Sequence, residues 1–131
     1  MNITSEQRKR LESLAQKHKL SLMVLFGSRS RGRVHAASDT DIAVLGKTPI
    51  EVKKLTSLER ELRGVFHGEI NAVDLNVVPP LLGGRIMRDA VLLAGSTRNF
   101  ALARIRFHAR YLDFKPYLEF RSKTLHKTFA L

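Results

Sequence analysis

The sequence predicts a mixed α+β domain built as an α/β unit, on three observations. Apolar residues recur at helical spacing over residues 5–19 and 48–68. Short apolar runs of strand type stand at 22–26, 40–45 and 69–78. Glycine, serine and proline breaks separate the two kinds of segment. The chain has 131 residues, enough for one domain with its own core.

Taken in order, Thr4 with Gln7 forms a capping-box pattern, and Leu11, Leu14, Ala15 and His18 follow at helical intervals, predicting a first helix over 5–19. Leu22 to Phe26 reads as a buried strand, and Gly27-Ser28 as a turn leading into a brief helix through about Arg33. Thr40 to Leu45 reads as a second strand ended by Gly46. Thr48-Pro49 supplies an N-cap and first-turn pair for the clearest helix, whose Leu55, Leu58, Leu62 and Val65 repeat every three or four residues and which stops near Gly68. Glu69 to Val78 reads as a third strand with Val73, Leu75 and Val77 on one face and Ile70, Ala72 and Asp74 on the other. After Pro79-Pro80, a helix through Leu82, Ile86, Ala90 and Leu93 is expected to end at Gly95. Ser96 then caps another helix, striped by Phe100, Ala103, Phe107, Tyr111 and Phe114, which Pro116 interrupts before a last helical stretch. The expected division is a core over 1–97 and a helical C-terminal segment over 98–131 of the same domain.

Composition excludes several classes of function. Without cysteine there is no disulfide, thiolate zinc site or catalytic thiol. His18, His67, His108 and His126 lack metal-ligand spacing, and His35 stands alone in a loop. No apolar run is long enough to cross a bilayer and no secretory signal opens the chain, so a soluble cytoplasmic protein with no membrane partner is expected. The net charge of +11 comes from 23 basic against 12 acidic residues, and +6 of it falls in residues 98–131. Such a field suits a polyanionic partner, leaving RNA or an acidic protein surface as targets for the C-terminal segment.

The chemistry centres on Asp39-Thr40-Asp41. Alternate residues of an extended strand share a face, so both carboxylates project one way and can grip one hard cation, with Thr40 facing the other way. Asp74 lies in an apolar stretch, where an ionised carboxylate must be paired, protonated or metal-bound. Nucleotidyl transfer uses two divalent ions to stabilise the attacking and leaving oxygens. In that scheme Asp39 and Asp41 bridge the ions, while Asp74 holds the one at the attacking hydroxyl and acts as general base. Gly27 allows close approach to the terminal phosphates, Ser28 donates to them, and Arg29, Arg31 and Arg33 supply cations, of which one or two reach phosphate.

Gly27-Ser28, ten residues, then Asp39-x-Asp41, with Arg31-Gly32 and Ser38 between, resembles the signature of the minimal nucleotidyltransferase family of the DNA polymerase beta superfamily. The resemblance places Asp74 as the family's third carboxylate and extends to the segment Arg85 to Gly95, read as a helix. It implies a polymerase beta-like fold, a small mixed β-sheet with helices packed on one side. It also implies ATP as substrate with two Mg2+ ions, metal binding and catalysis by Asp39, Asp41 and Asp74, and nucleotide contact at Gly27 and Ser28. Members of this kind are antitoxins that silence a HEPN-domain ribonuclease toxin by transferring AMP onto its tyrosine, and Tyr111 and Asp113 fall where such a toxin would meet this chain. Two other readings stand beside it: a transferase acting on a small molecule such as an aminoglycoside, and a non-catalytic antitoxin or RNA-binding module.

Overall fold

A computed structural model describes residues 3–27 and 39–128, excepting the side chains at 118, 119 and 121–128. Helix α1 spans Ser5–Lys17 and begins with the expected reciprocal cap: Thr4 Oγ1 accepts from the Gln7 N–H at 3.1 Å, and Gln7 Oε1 accepts from the Thr4 N–H at 3.0 Å. Strand β1 (Leu20–Phe26) pairs antiparallel with β2 (Thr40–Gly46). Helix α2 (Val52–Phe66) then carries the chain across to β3 (Ile70–Asp74), which lies parallel to β2, as a helical crossover permits. Helix α3 (Pro80–Arg88), β4 (Val91–Gly95) and α4 (Thr97–Thr128) complete the order. The sheet runs β3-β2-β1-β4, with β4 antiparallel to β1.

Strand alternation divides the core. Met23, Leu25, Ile42, Val44 and Ile70 point to one face, where Leu11 and Ala15 of α1 and Leu58, Leu62 and Val65 of α2 cover them. Leu22, Val24, Ala43 and Leu45 point to the other, against Ile86 and Met87 of α3 and Ala103 and Phe107 of α4. The mixed sheet is as expected. The expectation of helices on one side is corrected, because both faces of β1 and β2 are apolar and each needs a cover.

Four further expectations change. Val91–Gly95 is a strand and α3 stops at Arg88, although Leu82, Ile86, Ala90 and Leu93 fit a helical period; five apolar residues satisfy either period, and the unpaired edge of β1 decides. Arg104 closes the shortened helix, its Nε donating to the Met87 carbonyl at 3.0 Å and its Nη2 to the Ala90 carbonyl at 3.1 Å. Strand β3 ends at Asp74 rather than Val78, and Val77 is exposed. Helix α2 starts after Glu51, not at Thr48-Pro49. Helix α4 runs through Pro116, which withholds one backbone donor without ending it.

Helix α4 belongs to the same core. A Cβ at Gly84 would stand 2.6 Å from Tyr111 Cβ, so the bare backbone of α3 lets α4 approach closely. The inner side of the aromatic stripe, Phe107 above all, is spent on this contact, while Leu102, Ile105, Leu112 and Tyr117 are exposed. The edge of β3 is blunted by Glu59, whose carboxylate accepts from the Ala72 N–H at 3.0 Å.

Candidate active site

At one end of the sheet the chain leaves β1 at Phe26 and re-enters β2 at Thr40, so Phe26 pairs with Asp41 and the turn residue Gly27 lies beside that carboxylate. Gly27 has φ +79°, and a Cβ there would stand 2.6 Å from Asp41 Oδ2. Its lack of a side chain therefore serves two ends, the left-handed turn and the room that the carboxylate occupies. Replacing Gly27 by alanine is expected to cost about 1–2 kcal/mol in backbone conformation and to displace Asp41 as well. Thermal melting and divalent-cation binding check it: both should fall, whereas a strained turn alone would lower only the first.

Asp41 lies on the face of the sheet that α3 and α4 cover, at its solvent-facing end, and Asp39 stands one residue before β2, beside the Asn71 amide. Between them stands Asn71 of β3, paired with Asp41 in the parallel register. Its side-chain amide donates to Asp39 Oδ2 at 3.0 Å and lies 3.5 Å from Asp41 Oδ1. The two leading aspartates thus meet around one neutral donor. Thr40 turns to the opposite face and is buried.

Asp74 is not among them. It pairs with Val44, three residues further along β3, roughly 10 Å from Asn71 at 3.3 Å per residue, and Val44 faces α1 and α2. Alternation therefore sets the Asp74 side chain on the far side of the sheet from Asp41. It is 5% exposed. Its Oδ2 accepts from the Ile50 N–H at 2.8 Å and its Oδ1 from the Asn76 N–H at 2.9 Å. These bonds pin the 47–51 connection to the end of β3, and the Asn76 amide adds a bond to the Gly46 carbonyl at 2.8 Å. The buried carboxylate has the partners that the sequence demanded, and they are backbone amides.

Ser28, Arg29, Arg31, Arg33 and His35 lie outside the described residues. The residue that sequence reasoning missed is Asn71. An exposed asparagine in a short strand carries no signal of its own; only the register of β3 on β2 puts it beside the aspartates.

Two carboxylates converging at a solvent-facing strand end suit one hard divalent ion. A pair of ions held by three carboxylates does not fit. Among the described residues no group of three His, Cys, Asp or Glu side chains could hold a metal, and residues 28–38 contain neither Asp nor Glu.

Comparison with known proteins agrees with the fold. The family profile described as "Polymerase beta, Nucleotidyltransferase" matches residues 9–99. The protein adenylyltransferase MntA of Shewanella oneidensis is 29% identical over 93 residues, 71% of this chain and 67% of that one. A chain of Methanocaldococcus jannaschii, named as a candidate protein adenylyltransferase, is 34% identical over 91 residues, 70% of this chain and 97% of its own length. Among solved structures, a crystal structure of a toxin-antitoxin with AMP-PNP superposes with TM-score 0.77 at 24% identity, covering 94% of this chain and 98% of that chain. A chain from the complex of tri-AMPylated Shewanella oneidensis HEPN toxin with MNT antitoxin gives 0.72 at 21%, covering 95% of this chain and 98% of that chain. At these identities the likeness to the solved structures is one of fold. Among the described residues no helix is long and apolar enough to cross a membrane.

Proposed function

Because the chain belongs to the polymerase beta nucleotidyltransferase family, we propose that it is an antitoxin that transfers AMP from ATP onto a tyrosine of a HEPN-domain ribonuclease and thereby silences it. The observation that carries this reading is the convergence of Asp39 and Asp41 beside the bare backbone of Gly27. The relatives named protein adenylyltransferases and the AMP-bearing HEPN toxin among the structural neighbours support the choice of nucleotide and acceptor.

In this reading Asp39 and Asp41 hold Mg2+, which when bound neutralises the triphosphate as charge builds on it. Gly27 lets the phosphates approach the backbone, and Ser28, Arg29 and Arg31, next in the chain, bind them. The tyrosine oxygen bonds to the α-phosphorus, the bond to the pyrophosphate oxygen breaks, and pyrophosphate leaves with the hydroxyl proton released to water. Asp74 takes no part, being on the other face of the sheet. The toxin supplies the acceptor.

The test mixes purified chain with a HEPN toxin, ATP and Mg2+ and follows pyrophosphate. Release that requires the toxin is expected; none at any toxin concentration contradicts the proposal. A second reading, an antitoxin that neutralises by binding alone, draws on the neutral Asn71 among the acids. It predicts that an Asp39→Asn, Asp41→Asn double variant protects cells as fully as the parent chain.

A further inference from the structure

We infer that Asn71 limits this centre to a single divalent cation and throttles its AMP transfer. The inference deepens the transferase reading and rests on it for the rate, but not for the number of ions.

The place that Asn71 occupies is fixed by backbone register. Thr40 opposite Ile70 and Asp41 opposite Asn71 put its side chain on the same sheet face and at the same strand end as the leading aspartates. It is the one position of β3 from which a side chain meets both. A carboxylate there would complete a three-acid centre for two ions. The asparagine has the same shape but brings no charge, and its amide nitrogen is turned toward the acids. Two acid groups crowded at one point repel each other, and a shared N–H donor offsets that repulsion without a metal. Asn71 thus holds Asp39 and Asp41 together while removing the ligand that a second cation needs. Neither Asp74, on the far face, nor the acid-free segment 28–38 can substitute for it.

The acceptor side of the reaction bears the cost. Asp39 and Asp41 would hold one ion for the triphosphate, and no carboxylate of β3 on their face of the sheet would be there to draw off the acceptor's proton or hold a second cation. A gain-of-function substitution follows, since Asn71→Asp changes one amide to a carboxylate at constant shape.

Mn2+ serves as the probe, counted by electron paramagnetic resonance on the whole chain, with Asn71→Asp and Asn71→Ala beside the parent. Without nucleotide, Asn71→Asp should bind Mn2+ at least tenfold more tightly than the parent, and Asn71→Ala no more tightly. In the one-to-one complex with a non-hydrolysable ATP analogue, the parent should hold one Mn2+ per chain and Asn71→Asp two. The aspartate variant should also transfer AMP at least tenfold faster in Mg2+. If crowded acids keep Asn71→Asp from folding, Asn71→Glu repeats the series, with melting temperature in Mn2+ as the control. Two ions on the parent chain, or no tighter binding by the acidic variant, overturns the inference. One ion with no AMP transfer by either protein leaves the ion count standing and sinks the transferase reading.

Discussion

Replacing Asp41 by asparagine should lower AMP transfer by on the order of a thousandfold, the loss expected when a group that stabilises developing charge is taken from the reacting centre. The fold should not notice. Asp41 lies at the solvent-facing end of β2, its Oδ1 is 3.5 Å from the Asn71 amide, and no described core residue rests on its charge. Neutralising one of two adjacent acids also removes repulsion, so the melting temperature should hold or rise slightly. Pyrophosphate release and thermal melting, measured on the same preparation, check both halves. A variant that loses activity and stability together would make Asp41 a structural residue.

Asp74 should behave in the opposite way. Its carboxylate accepts two backbone N–H groups from beneath 5% exposure, at Ile50 and Asn76. Truncation to alanine leaves both donors unsatisfied and frees the 47–51 connection, an expected cost of about 2–4 kcal/mol. For a domain of this length that is a fall in melting temperature of roughly 10 °C. Below the new melting temperature, AMP transfer per folded molecule should stay within about threefold of the parent, since nothing at Asp39, Asp41 or Asn71 is touched. Asp74→Asn should fall between, because its amide can accept one of the two bonds but not both. A large loss of turnover in a well-folded Asp74 variant would restore it to the active site.

The contrast between these aspartates shows how far the sequence could be read. Asp39-x-Asp41 was legible because Asp41 lies in β2 and Asp39 stands one residue before it, close enough for alternation to turn both carboxylates the same way. The same rule assigned Asp74 to a face shared with Ile70 and Ala72, which the structure bears out. What the rule could not supply was which face of β3 adjoins which face of β2, or at what register. Starting β3 at Ile70 opposite Thr40 put Asn71, not Asp74, beside Asp41. One residue of register exchanges every side chain of a strand between faces.

The helices were legible for a related reason. The cap at Thr4 and Gln7 and the stripe Leu55, Leu58, Leu62 and Val65 are local patterns, and both stand in the structure, the stripe within α2. Val91–Gly95 was not legible, because a five-residue apolar run satisfies either period and only the free edge of β1 makes it a strand. The closeness of α4 to α3 was written in Gly83-Gly84, a pair unfavourable in a helix unless another backbone must come near. That signal was present and carried no weight until a partner helix was placed against it.

We propose that Asp39 and Asp41 serve a transfer of AMP to a partner protein. It is tested most directly by the intact mass of a HEPN toxin co-expressed with the chain. The toxin should be heavier by one or more AMP groups, all attached at tyrosine, and should stay unmodified when Asp39→Asn and Asp41→Asn are introduced. A toxin of unchanged mass, yet fully neutralised by the parent chain and by the double variant alike, would contradict it.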